Sequence, residues 1–553
     1  MIWSGMSEIT VGRMQAKRVL LPRWLVALAL ALILLATAWV RLRLLNFPLE
    51  RDEGEYAYAG QLMLQGIPPY KLAYNMKLPG TYAAYALIMA AFGQTIRGIH
   101  MGLILVHGIT IVLVYFVGRR LFGAICGVVA AACFGLLSLS NSVLGLAAHA
   151  THFVTAFAVA GTLVLLKAVA SKRSLTAWWC GLLFGLAFLM KQTGVFFGLF
   201  AGLFLLWTEF RQRPVDWGGS ARRVALYCAG AILPFLITCL LLTYAGVFNR
   251  FWFWTFSYAR QYATNQSVSA GWLMFQFSAL AIRQAAPGIL LLALVGMVFA
   301  FSVGEKRRAA FFAFAFFAAS FATTCPGLYF RGHYFITLLP AIGLFVGAGL
   351  QTACDETASR GYGKFWLAVP LGVFLVASAQ TVFRHGALFF SLSPDAAARV
   401  VYDSNPSSEA IEIGRYLRDH SSPNSRVAVF GSEPEIYFYS GRRSATGYIY
   451  TYGLMEHQEY ALKMQREMIS EIETTAPEFV VFVHVNWSWL ERKDSPRLIF
   501  DWFDKYVGAN LKAVGLVDIE SMDHTAYHWD ERGIVATPHS NYYAWIFRRK
   551  DTF

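Results

Sequence analysis

Acidic residues are scarce in the first 385 residues, which hold 10 Asp and Glu against 30 Lys and Arg. From Gly386 onward the balance reverses, with 23 acidic residues against 17 basic ones. The net charge of +14 therefore divides into +20 on the first part and −6 on the tail. Charge of either sign is nearly missing from a series of apolar blocks of 14 to 23 residues. A helix needs roughly 20 such residues to cross the ~30 Å hydrocarbon layer of a bilayer. With 57% hydrophobic residues, this distribution excludes an ordinary soluble enzyme and indicates a polytopic membrane protein. Cysteine is missing from the tail; the seven present (126, 133, 180, 228, 239, 325 and 354) lie in or beside apolar blocks, so no disulfide framework is implied. The basic residues sit in short loops between apolar blocks rather than on one polar face, which argues against a nucleic-acid partner. The first block, Leu25–Val40, lacks a small-residue cleavage site and is followed by Arg41 and Arg43, so it reads as an uncleaved anchor.

Lys and Arg in short loops stay on the cytoplasmic side. The clusters are Arg13/Lys17/Arg18/Arg23, Arg119/Arg120, Lys172/Arg173, Arg211/Arg213/Arg222/Arg223, Lys306/Arg307/Arg308 and Arg360/Lys364. Parity between the first two clusters works if Tyr82–Phe92 lies along the membrane surface. The spans then fall near 25–40, 99–117, 122–140, 153–170, 177–190, 194–209, 224–246, 285–303, 309–323, 334–351 and 365–384. This predicts about 11 spans, an inside N-terminus and an extracytoplasmic C-terminal domain. The expected domains are a membrane domain over 1–385, with a first outer loop at 46–97, and a soluble α/β domain over 393–553.

In that topology the outward-facing carboxylates of the membrane domain gather in Glu50-Arg-Asp-Glu-Gly-Glu55. Such a cluster is either a solvated loop or a site; the Tyr56-Ala-Tyr-Ala59 that follows suggests an interfacial helix starting at Gly54. The outer loops also hold cations that run against the orientation rule: Lys77, Lys191, Arg260, Arg283 and Arg331, the last beside His333 and Tyr334. They either snorkel onto lipid phosphate or bind an anionic headgroup. Lys77 and Arg331 lie in Pro/Gly- and aromatic-rich turns, which favours the headgroup reading for these two. Trp252 and Trp254 read as interfacial belt residues.

The run from Arg51-Asp-Glu-Gly-Glu-Tyr56 to Gln65-Gly-Ile-Pro-Pro-Tyr70, then Lys77-Leu-Pro-Gly-Thr-Tyr82, resembles the first outer loop of bacterial polyprenyl-phosphate-dependent glycosyltransferases. These are relatives of the protein O-mannosyltransferases and the lipid A aminoarabinose transferase, with the C-type membrane fold. Arg119-Arg-Leu-Phe-Gly123 and Arg331-Gly-His-Tyr-Phe-Ile-Thr-Leu-Leu-Pro340 resemble further family segments, in the same order. The resemblance implies a catalytic carboxylate at Asp52 with Glu53 beside it, and donor-phosphate contacts from Lys77, Tyr334 and a further arginine, placed at Arg260. It also implies that the membrane is a bacterial cytoplasmic one. One departure stands out. Where family members often carry a second outer-loop carboxylate, this chain reads Ala148-His-Ala-Thr-His152. Either His149 or His152 substitutes, or the role is dispensable, or the acceptor differs.

Transfer from a polyprenyl phosphate to a hydroxyl needs a base for the acceptor proton and cations for the leaving phosphate. Asp52 fits the base and Glu53 an orienting or acceptor-binding group; Lys77 with Arg331 or Arg260 fits the phosphate. His149, His152, Lys191 and His333 are accessory candidates. No particular cofactor is indicated, and a divalent metal stays open. The expected partners are a polyprenyl-phosphate-linked sugar, membrane lipids and a hydroxyl acceptor on protein, lipid or polysaccharide. A lipid-diphosphate-dependent glycan ligase or oligosaccharyltransferase, a transporter or flippase, and a noncatalytic scaffold are the rivals. In the tail, helices are predicted at Ser408–His420, Met455–Thr474 and Pro496–Tyr506, and strands at Arg426–Gly431, Phe479–Val485, Leu511–Ile519 and Tyr542–Arg548. The Gly431-Ser-Glu-Pro-Glu435 turn follows a strand, where α/β sheets bind ligands, and suggests acceptor recognition or a lid.

Overall fold

A computed structural model describes residues 19–552 apart from 20, 212, 213, 362, 363, 531, 532 and 534. Arg13, Lys17, Arg18 and Arg213 of the basic clusters lie outside the described residues. Among the described residues, six helices are long and apolar enough to cross a membrane: Arg23–Arg43, Ile96–Leu121, Ala150–Ser171, Gln192–Phe210, Trp217–Tyr244 and Gly332–Ser359. A seventh span results if the pair Val268–Ala285 and Pro287–Ser302, bent by 99°, counts as one. The bend has a local cause. Pro287 has no N–H to give the preceding turn, and Ala286 before it leaves helical geometry at φ −142, ψ 56. Arg283 is exposed in the last turn before this break, where a cation meets the helix's negative end. That accounts for this cation without a ligand. Every other predicted span also contains a helix; the remaining apolar ones, such as Ala124–Leu137 and Ser174–Met190, are shorter than the spanning length.

The chain divides into two compact units. One comprises residues through Arg43, Met101–Leu240 and Gln266–Ser391. Its centre is the helix Leu339–Ser359, buried along nearly its whole length. With no water to expel between apolar helices in lipid, close backbone approach has to supply the attraction. Small residues permit it: a Cβ on Gly296 would lie 2.1 Å from the Phe345 carbonyl, and one on Gly347 would lie 2.5 Å from that of Cys126. Among the predicted cytoplasmic acids, Asp355 pairs with Lys306 at 2.7 Å and Glu209 accepts from Arg223 Nε at 2.7 Å.

The other unit comprises Leu44–His100, Leu241–Asn265 and Leu392–Phe553, so the loop over 46–97 packs with the C-terminal sheet. The sheet contains β1 (Arg426–Phe430), β2 (Arg443–Ser444), β3 (Phe479–His484), β4 (Leu511–Ile519), β5 (Thr525–Trp529) and β6 (Tyr543–Arg549), in the order β2-β1-β3-β6-β4-β5. β1 runs parallel to β2 and β3; β6 is antiparallel to β3 and β4, and β5 to β4. The four predicted strands are present, while β2 and β5 carried no clear pattern. The short β2 pairs only two residues, and β5 is half-exposed throughout. The predicted helix over 455–474 is two helices, Tyr452–Met455 and Ala461–Thr475.

The loop's own helices are Arg51–Leu64 and Gly80–Phe92. The first starts three residues before the expected Gly54 because Glu50 caps it, its carboxylate accepting the Glu53 N–H at 3.0 Å. The second, at 13 residues, is about 20 Å long and too short to span. Gly54 is where the Arg51 helix meets the helix Glu435–Ser440: a Cβ there would sit 2.6 Å from the Glu435 backbone nitrogen. That neighbour is backbone and cannot rotate away. Gly54→Ala is expected to destabilise this unit by about 1–3 kcal/mol, read as a lower melting temperature in detergent; an unchanged melting temperature would contradict this packing.

Candidate functional site

The helix Arg51–Leu64 places Asp52 and Glu55 one turn apart on a single face. Lys77 meets both from the turn that leads into Gly80–Phe92, with Nζ 2.6 Å from Asp52 Oδ1 and 2.6 Å from Glu55 Oε2. The ammonium also lies 4.6 Å from the Tyr56 ring centre and 5.5 Å from that of Tyr450. The Tyr450 hydroxyl donates to Asp52 Oδ1 at 3.2 Å, and the Tyr82 hydroxyl donates to Glu55 Oε1. The Lys77 carbonyl accepts from Tyr70 at 2.7 Å, which fixes the turn.

Burial disfavours the Lys77 ammonium, but Asp52 and Glu55 outweigh it and hold Lys77 well above the ordinary lysine range. Burial raises Glu55, and Lys77 opposes that rise. Asp52 and Lys77 therefore meet as expected. Lys77 is engaged by two carboxylates, however, rather than displayed to an anion. Glu55, Tyr82 and Tyr450 are the participants that sequence reasoning missed. The i, i+3 spacing of Asp52 and Glu55 could have revealed the second carboxylate; nothing in the sequence links Tyr450 to either.

Glu53 faces elsewhere. Fully buried, it contacts His100 Nε2 at 3.2 Å, while His100 Nδ1 lies 3.1 Å from the Leu45 carbonyl. A carbonyl only accepts, so Nδ1 donates there. This arrangement anchors the start of the Arg51 helix instead of presenting Glu53 to a substrate. Arg51 is a second anchor. Its guanidinium donates to Glu433 at 3.0 Å, to the Tyr452 hydroxyl at 2.7 Å and to the Trp487 carbonyl at 2.6 Å. Glu433 also accepts from Ser488 at 2.7 Å. The Gly431–Glu435 turn, read from sequence as a ligand loop or lid, is thus buried and taken up by the chain's own arginine. The place at the carboxyl ends of β1 and β3 where a sheet would hold a ligand is filled from within.

Arg260 is exposed on the helix Ala259–Thr264, where its neighbour Gln261 bonds Glu459 and its charge acts on Tyr460. In the other unit, the accessory candidates divide. His149 and His333 stack at 4.1 Å and 13°, Tyr334 meets His333 edge-on at 4.7 Å, and Lys191 Nζ sits 3.5 Å from the Tyr334 ring centre. These four form one continuous stack. Arg331 lies over Tyr329 at 5.6 Å. His152 is separate, its Nε2 3.1 Å from the Gly145 carbonyl and its ring packed on His107.

Metal-binding side chains also meet at the end of β4, where Asp518, Glu520 and His539 hold ligand atoms within 4.8 Å of one another. Asp518 already accepts the His539 and Ser540 backbone N–H groups at 2.6 and 3.2 Å, so it is committed to closing that turn.

Residues 77–237 match the family model described as dolichyl-phosphate-mannose-protein mannosyltransferase. No curated protein matches the chain in sequence. Among solved structures, the chain is similar to ArnT from Cupriavidus metallidurans bound to undecaprenyl phosphate, at 15% identity and a TM-score of 0.56, covering 84% of this chain and 94% of that one. It is also similar to the Archaeoglobus fulgidus oligosaccharyltransferase in the apo form, at 12% identity and a TM-score of 0.55, covering 94% of this chain and 76% of that one. At such identities the likeness is one of fold, and the fold is that of the C-type glycosyltransferases.

Burial, then the charges of Asp52 and Glu53, push Glu50 well above the usual carboxylate range. The folded chain therefore keeps a proton there that the unfolded chain releases. The stability this confers is complete below the ordinary carboxyl pKa and is lost as pH rises through the folded-state value. Glu50→Gln retains the capping oxygen, so it is expected to raise the melting temperature at about pH 8 and leave it unchanged near pH 4.5. A lower melting temperature at the higher pH would contradict this.

Proposed function

We propose that the chain is a membrane glycosyltransferase that moves a sugar from a polyprenyl-phosphate donor to a hydroxyl acceptor on the extracytoplasmic face of a bacterial cytoplasmic membrane. What supports this most is the Asp52–Lys77 pair, a carboxylate and an ammonium 2.6 Å apart in a chain with the C-type fold. The two groups have the chemistry that the two halves of the reaction require.

In the proposed reaction the acceptor oxygen attacks the anomeric carbon, and the bond from that carbon to the phosphate oxygen breaks. Asp52 takes the acceptor's proton as its oxygen loses electron density. Lys77 stabilises the negative charge that collects on the departing phosphate. Glu53 is assigned a supporting part, because its bond to His100 fixes the helix end from which Asp52 projects. Lys191, resting on the Tyr334 ring, and Arg331 are assigned to anionic lipid headgroups. Arg260, exposed on the helix Ala259–Thr264, is kept as a further donor-phosphate contact.

The similarity in fold to an oligosaccharyltransferase keeps one other donor in view, a lipid diphosphate carrying a larger glycan. Offering purified protein monophosphate and diphosphate donors side by side separates the two, with transfer expected from the monophosphate. Asp52→Asn is expected to lower turnover by at least about 100-fold while leaving the protein in the membrane. Turnover at the wild-type rate in that variant would overturn the assignment.

A further inference from the structure

The two carboxylates on Lys77 differ in everything but their distance from it. Asp52 is the more open, with 15% of its side chain exposed, and its added contact is a phenol from the sheet unit, Tyr450. Glu55 is 1% exposed, and its other oxygen is held by the Tyr82 hydroxyl from the start of the next helix. An acceptor hydroxyl can reach the first of these and not the second. An ammonium has three N–H donors, of which two point at these carboxylates.

For Asp52 to accept a proton, and for Lys77 to meet a phosphate, their mutual ion pair has to be given up. The bond from Lys77 to Glu55 does not. Building on the transfer reading above, we infer that Glu55 is a positioning residue: it tethers Lys77 while the ammonium exchanges Asp52 for the donor's phosphate. Donor binding then releases the base, so the donor enters before the acceptor is deprotonated. Lys77 remains a cation in both states because one carboxylate stays on it throughout. The buried Tyr82 bond keeps Glu55 from following the ammonium as it turns.

The sugar-free carrier tests this without knowledge of the sugar. Undecaprenyl phosphate is titrated into the full-length protein in detergent across pH, for wild type, Lys77→Ala, Glu55→Gln and Tyr82→Phe. Glu55→Gln keeps the shape but removes an anion next to the phosphate position, so binding near neutral pH is expected to tighten about fivefold. Removing that anion also makes the ammonium easier to deprotonate, so the alkaline loss of binding moves down by about one pH unit. Tyr82→Phe keeps the carboxylate but removes the hydroxyl that favours its ionised form, and shifts both readouts the same way by less. A residue that only packs would move neither. If Lys77→Ala loses binding while Glu55→Gln and Tyr82→Phe retain wild-type affinity and the wild-type alkaline limb, the tether is wrong and the transfer reading stands. If Lys77→Ala binds as tightly as wild type, the assignment of phosphate to Lys77 fails, and the tether fails with it.

Discussion

A lysine ammonium held between two carboxylates in a largely buried site is the interaction on which the loop over 46–97 depends. Taking such charges from water is costly unless they are paired and hydrogen-bonded. Here Lys77 meets Asp52 and Glu55 at 2.6 Å each, and tyrosines close the remaining sides. The pairing requires the Arg51 helix to begin at residue 51, so that positions 52 and 55 share a face. That start is set by the Glu50 cap, by Glu53 on His100 and by Arg51 locked into the Glu433 turn of the sheet. The C-terminal sheet therefore fixes the helix end that carries Asp52 and Glu55; the crevice at the ends of its own strands is occupied by Arg51.

The membrane fold was largely legible from the sequence, because the signal that carries it is local. Apolar length and the absence of charge locate helices, and every span predicted from them contains a helix. What length and composition did not convey is that several of those helices are shorter than a full crossing, and that Pro287 turns one pair through 99°. The strands β1 and β3 show as buried apolar runs and β4 and β6 as further strands, while β2, with two paired residues, offers too little pattern to see.

The site was legible only in part. Asp52 and Lys77 were found because the loop resembles a family segment and because carboxylates are rare in the first 385 residues. Glu55 was overlooked as one more acid in the cluster, although its spacing from Asp52 already placed it on the same helical face. Arg51 and Glu433 are separated by 382 residues, and no local pattern reports such a pair. The stack of His149, His333, Tyr334 and Lys191 likewise joins segments far apart in sequence, each of which looked like an isolated boundary residue.

The central claim is that Lys77 is a cation kept charged by two neighbouring carboxylates. Nuclear magnetic resonance of protein labelled with carbon-13 at lysine Cε tests it directly, with the Lys77 signal assigned by its loss in Lys77→Arg. The account predicts that this signal stays in its protonated position when exposed lysines titrate near their ordinary pKa of about 10.4. A Lys77 signal that titrates with the exposed lysines, or below them, would contradict it.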